Sequence, residues 1–189
     1  MIDALEIDYG PLAGLIGSWT GDKGMDISPE PDGTERNPYF ETIVFEAARN
    51  VKNAEEQVLT IVRYHQEVRR KSDGEVFHDQ VGYWTWDAAA KTLAHSFTIP
   101  RRVCVLAGGE HSGIADADGS VTLRVSAKLG DSAWGILQSP YMHDKARTVS
   151  FNHEITVKGN QLLYSQTTGL EIYGRSFDHT DANELALQK

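Results

Sequence analysis

The chain has 189 residues, 40% hydrophobic and 24% charged, which suits one domain with a sizeable core. Its 27 acidic and 18 basic residues give a formal net charge of −9, which excludes a basic phosphate-binding surface and with it a nucleic-acid partner. No apolar run approaches the ~20 residues of a membrane span, MIDALEIDYG lacks the basic start and apolar stretch of a secretory leader, and the lone Cys104 excludes an internal disulfide, so the expectation is one cytoplasmic domain over residues 1–189.

The predicted elements begin with a short helix over residues 11–16, just before Gly17. Trp19 follows on the first strand, where a buried indole seals one end of a sheet structure. Residues 26–38, rich in Pro, Gly, Asp and Glu, read as a long loop of the kind that forms lids and rims. Strands are then expected over residues 39–45 and 57–69. In the second of these Val58, Thr60, Val62, Tyr64, Gln66 and Val68 share one face. Ser72-Asp73-Gly74 is a hairpin signal, and Arg69-Arg70-Lys71 before it is a solvated strand end.

Further strands are expected over residues 75–86, 92–99, 102–107, 112–115, 120–129, 147–157 and 161–168. Asp118-Gly119 and Lys158-Gly159-Asn160 supply turns between neighbours. Trp84 and Trp86 share a face and read as packing residues. Cys104, in Val-Cys-Val-Leu, reads as a small buried hydrophobe. A terminal helix is expected over residues 181–187, capped by Thr180 or Asp181. About ten strands in hairpin succession point to an all-β, single antiparallel up-and-down barrel. Closure hides the sheet edges, and a barrel of this size encloses a ligand. His65, His95, His111, His143 and His153 show no paired metal-ligand spacing.

Several segments resemble a known family. Gly-x-Trp after a short helix is common to calycins, the lipocalins and fatty-acid-binding proteins. More narrowly, the chain is similar to nitrobindin and its relatives, ten-stranded haem-binding barrels. Their Gly-x-Trp-x-Gly-x-Gly motif stands here as Gly17-Ser18-Trp19-Thr20-Gly21-Asp22-Lys23-Gly24, with one extra residue before the last glycine. Pro38 to Phe45 is similar to the family's second strand. Arg63-Tyr64-His65-Gln66 through Gly74 to His78-Asp79-Gln80-Val81-Gly82-Tyr83 is the closest match.

The resemblance implies haem b with His179 as the proximal iron ligand, His78 on the distal side and Thr168 lining the pocket. It also implies nitric oxide binding and isomerisation of peroxynitrite to nitrate. Fifteen positions separate Tyr164 from His179, one more than the family's spacing, and Thr180 stands where an apolar residue is usual. An exposed histidine near a helix start is the rival reading of His179. The rival reading of the whole chain is a fatty-acid-binding-protein-like carrier or sensor of an apolar small molecule without haem. Aromatic residues on the barrel's sides leave a homodimer open.

Overall fold

Alternation of inward apolar and outward polar residues builds the walls. Along one strand Asn37, Tyr39, Glu41, Ile43 and Phe45 are buried, while each residue between them is exposed. The computed structural model describes residues 7–188. These form a 3-10 helix (Gly10–Leu15), β1 (Gly17–Glu30), β2 (Gly33–Ala47), β3 (Val51–Asn53), β4 (Gln57–Arg70), β5 (Val76–Asp87), β6 (Thr92–Ile99), β7 (Val103–Glu110), β8 (Val121–Lys128), β9 (Ile136–Gln138), helix α1 (Pro140–Lys145), β10 (Ala146–Lys158), β11 (Gln161–Ile172) and β12 (Arg175–Leu187).

Ten strands close into an antiparallel barrel in the order β1-β2-β4-β5-β6-β7-β8-β10-β11-β12, with β12 paired back to β1. β3 adds to β4 and β9 to β7 outside that ring. The 3-10 helix plugs one end. Its Leu12 and Leu15 are fully buried beside Trp19, whose indole N–H donates to the Leu15 carbonyl at 2.7 Å. This satisfies the one polar atom of a large buried ring.

The all-β barrel and the helix before it are as expected, but four local expectations fail. Residues 26–38 are no loop: they are the end of β1, a tight turn at Pro31-Asp32 and the start of β2. Their polar inward residues, Asp26, Asn37 and Glu35, broke the apolar alternation that marks a strand. The expected terminal helix is instead β12, because the barrel needs a strand between β11 and β1 and tertiary pairing overrides local propensity. Residues 112–115 make no strand, and Gly113 there has φ of +83°. Cys104 is exposed, since Val103 and Val105 take the inward positions on either side.

The extra residue in the glycine motif has a clear outcome. The β1–β2 register shifts between Gly21 and Gly24, so Asp22 and Lys23 bulge out of the ladder. The bulge returns Gly24 to the interior against the Tyr39 ring, where a Cβ would meet a ring carbon at 2.0 Å. Gly24→Ala is therefore expected to cost about 1–3 kcal/mol through overpacking. A urea midpoint unchanged from the wild type would contradict this placement.

Candidate functional site

The end of the barrel away from the helical plug is hollow. Its cavity measures about 370 Å³, within the usual span of small-molecule pockets, roughly 300–1,000 Å³. One side, on β4 to β7, is mainly apolar, formed by Val68, Phe77, Phe97, Ile99 and Val105. The other is polar, formed by Asp26, Asn37, Gln166, Thr168, His179 and Asp181. Glu30, Arg101 and Tyr173 are exposed at the rim. Among the described residues no helix is long and apolar enough to cross a membrane.

His179, His78 and Thr168 all line this one cavity. Thr168 and His179 are direct cross-strand partners on β11 and β12. The β11–β12 hairpin turns at Tyr173-Gly174, both in the left-handed region (φ +53° and +75°), and a two-residue turn of that kind fixes the register. With no break in the ladder between Tyr164 and His179, that register sets Thr168 opposite His179. His179 lies on a strand, not beside a helix start, and its side chain is 33% exposed.

The imidazole of His179 is held from behind. Its Nε2 lies 2.5 Å from Oδ1 of buried Asp26 on β1. Burial pushes the Asp26 carboxyl upward. Hydrogen bonds from His179, Ser28 and Asn37, with the charge interaction of His179, outweigh burial and hold it below the usual carboxylate range. A carboxylate behind an imidazole orients it and makes its other nitrogen the better donor to a metal. Among the described residues no three His, Cys, Asp or Glu side chains are arranged to hold a metal ion. A single supported imidazole serves a metal whose remaining ligands come from another molecule, as in a metalloporphyrin. The apolar wall and the supported imidazole fit such a group.

His78 stands on β5, four strands round the ring from β12. Burial is the main cause that pulls its pKa below the ordinary histidine value, so it is neutral at pH 7. Its Nε2 lies 3.3 Å from the Gln80 amide oxygen, and the Gln80 amide donates to the Tyr64 hydroxyl. With that oxygen accepting, Tyr64 donates its own proton to His95 Nε2 at 2.7 Å. Phe77 lines the cavity as well, although a regular strand would turn it outward. A register shift between Val68 and Arg69 supplies the bulge that turns it inward.

Sequence reasoning missed the acidic side of the site. Glu41, 3% exposed, accepts the amides of Gln66 and Asn183 at 2.6 Å each, and the Tyr164 hydroxyl lies 3.1 Å from both its oxygens. The Tyr164 and Tyr39 hydroxyls are 2.8 Å apart, and Tyr39 makes a short contact with Asp181. Burial, then the charge of Asp181, pushes Glu41 up to about 7 against its amide donors. Burial likewise raises Asp181 to about 6. One signal could have found Glu41. It sits at an inward position in the alternating run Tyr39, Glu41, Ile43, Phe45, where a carboxylate requires partners.

A family model for the THAP4-like, heme-binding beta-barrel domain matches residues 8–186. Among solved structures, that of Rv2717c from M. tuberculosis superimposes with a TM-score of 0.69 over 94% of this chain and 95% of that one, at 21% identity. Likeness at that identity speaks for the fold alone. No curated protein sequence matches the chain.

Proposed function

The chain belongs to the THAP4-like, haem-binding β-barrel domain family, and from that membership and the cavity we propose that it binds haem b. His179 would supply the one protein ligand to the iron, supported by Asp26. His78 would face the bound group from β5, with Thr168 beside His179 on the cavity wall. The observation that carries this reading is the convergence of His179, His78 and Thr168 on one cavity with an apolar wall.

When bound, haem would supply an open iron site for nitric oxide and for isomerisation of peroxynitrite to nitrate, the chemistry that the family resemblance implies. The chain's own part is narrower. Asp26 keeps the His179 ring in one orientation. Phe77, Phe97, Ile99 and Leu170 give the cavity apolar surface for a flat ring to lie against. Neutral His78 offers an imidazole N–H that is already directed at Gln80.

The test is a titration of the purified protein with hemin, followed by visible absorption. A sharp Soret band that saturates at one hemin per chain is expected. A broad band typical of free hemin, together with saturable uptake of a fluorescent fatty acid, would instead make the cavity an apolar carrier's pocket.

A further inference from the structure

Arg101 stands in the connection between β6 and β7, at the mouth of the cavity. The barrel order puts β6 five strands from β12 in either direction, so Arg101 and His179 belong to opposite sides of the ring. The Arg101 side chain leans over β5. Its Nη2 lies 3.5 Å from the carbonyl oxygen of Phe77, the residue before His78, and this is the one polar contact of its side chain. Two arginines line the cavity. Arg70 is committed: it is tied to Asp73 and Glu75, and its guanidinium lies 5.2 Å from the centre of the Phe77 ring. Arg101 has no ion pair among the described residues, so its charge is free for a guest.

We propose that Arg101 is the anion-binding residue of the cavity, its guanidinium receiving a small planar oxyanion beside His78 on the side away from His179. A guanidinium is flat and presents parallel N–H donors, which match two oxygens of a planar anion edge to edge. It holds no proton that it can lose at ordinary pH. Arg101 therefore binds and orients, and takes no part in proton transfer.

The charges around the mouth favour this position over others. Glu30 and Glu35 stand on β1 and β2, beside β12, and turn an anion away from that side. Burial chiefly lowers the pKa of His78, and the positive charges of His179 and Arg101 lower it further against a smaller effect of Asp26. The space at His78 thus favours negative charge. A free cation at the entrance also draws an anion toward a chain whose net charge of −9 would otherwise repel it.

This inference rests on the haem reading in one respect: it names the substrate class of that site, a small oxyanion arriving opposite His179. Isomerisation of peroxynitrite to nitrate conserves every atom and the single negative charge. One guanidinium can therefore hold the anion before and after the change.

The hemin-loaded protein tests it with nitrite and formate as probes, their affinities read from the visible spectrum. Arg101→Gln should weaken both about tenfold, as for one hydrogen bond to a charged group. Arg102→Gln removes the same charge from the neighbouring exposed residue, which does not line the cavity, and should leave both unchanged. Imidazole at pH 8, a neutral ligand, should bind all three proteins alike. Equal anion affinities in wild type and Arg101→Gln, or equal losses in the two variants, overturn the proposal. So does weaker uptake of hemin but not of hemin dimethyl ester by Arg101→Gln, because the guanidinium would then hold a porphyrin carboxylate.

The guest-free protein supplies a readout that needs no haem. In nuclear magnetic resonance at constant ionic strength, nitrite should shift the His78 ring signals of the wild type saturably, and Arg101→Gln should abolish that shift. No saturable shift in the wild type, or the same shift in the variant, overturns the site. Failure of hemin to bind while the shift persists would count against the haem reading and support the anion site.

Discussion

Substituting alanine for His179 is expected to weaken hemin binding at least about 100-fold and to replace the sharp Soret band with that of non-specifically held hemin. Loss of a group that merely orients a metal ligand costs ~10–100-fold in metal affinity, so loss of the ligand itself costs no less. The cavity wall offers no ready substitute. The second imidazole, His78, is half-buried, stands four strands away round the ring, and has its Nε2 directed at Gln80. His179 is one-third exposed, so its removal opens no void in the core, but it leaves buried Asp26 without its imidazole partner. The variant should thus fold, by near-ultraviolet circular dichroism, with an unfolding midpoint below that of the wild type, and His179→Gln, which keeps a donor for Asp26 without a ring nitrogen, separates lost ligation from lost structure. Imidazole added to His179→Gly should restore part of the spectrum. An unchanged Soret band in His179→Ala would remove this residue from the iron.

The second large effect concerns stability. Glu41 is raised from 4.5 to about 7 in the fold, and Asp181 is raised with it by burial. A carboxyl with a raised folded value binds its proton more tightly folded than unfolded. Its stabilising contribution is whole below the unfolded value and is lost as pH rises through the folded one. The rise of Glu41 from 4.5 to about 7 corresponds to a loss on the order of 3 kcal/mol between pH 4.5 and pH 8. It is counted once because the two carboxyls influence one another's titration.

The buried histidines act in the opposite sense. His153, brought down to about 4 by burial, and His95, lowered by burial and by the neighbouring charge of His153, lose their contribution as pH falls below 6.5. They cancel when two proteins that both contain them are compared. Urea denaturation of wild type and Glu41→Gln from pH 5 to pH 8 should therefore show a wild-type stability that declines relative to the variant as pH rises. Parallel curves would contradict the buried acid.

Much of this architecture could be read from residue pattern, and the exceptions have a common cause. β4, β5, β6, β10 and β11 were visible because apolar residues alternate along them or turn signals bound them. Trp19 was visible because a large ring after Gly17 needs a buried seat. The hairpin from Asp26 to Pro38 and the final strand β12 were not legible. Their inward positions carry Asp26, Glu35, Asn37, His179, Asp181 and Asn183, so they read as solvated loop or helix start. These are the segments that make the polar side of the cavity. A functional wall violates the apolar pattern that reveals a structural one. His179, His78 and Thr168 came from family resemblance, and local pattern alone would not have selected them. The bulge between Gly21 and Gly24 takes up the extra residue of the glycine motif, and the unbroken β11–β12 register sets Thr168 opposite His179.

The central claim is that the hollow end of the barrel receives haem against His179. Crystallographic density of the protein loaded with hemin tests it most directly. The macrocycle is expected inside the barrel, against Phe77, Phe97 and Leu170, with iron at coordination distance from a ring nitrogen of His179. Iron bound at His78, a macrocycle lying on the outer wall, or a cavity closed by its own side chains would contradict it.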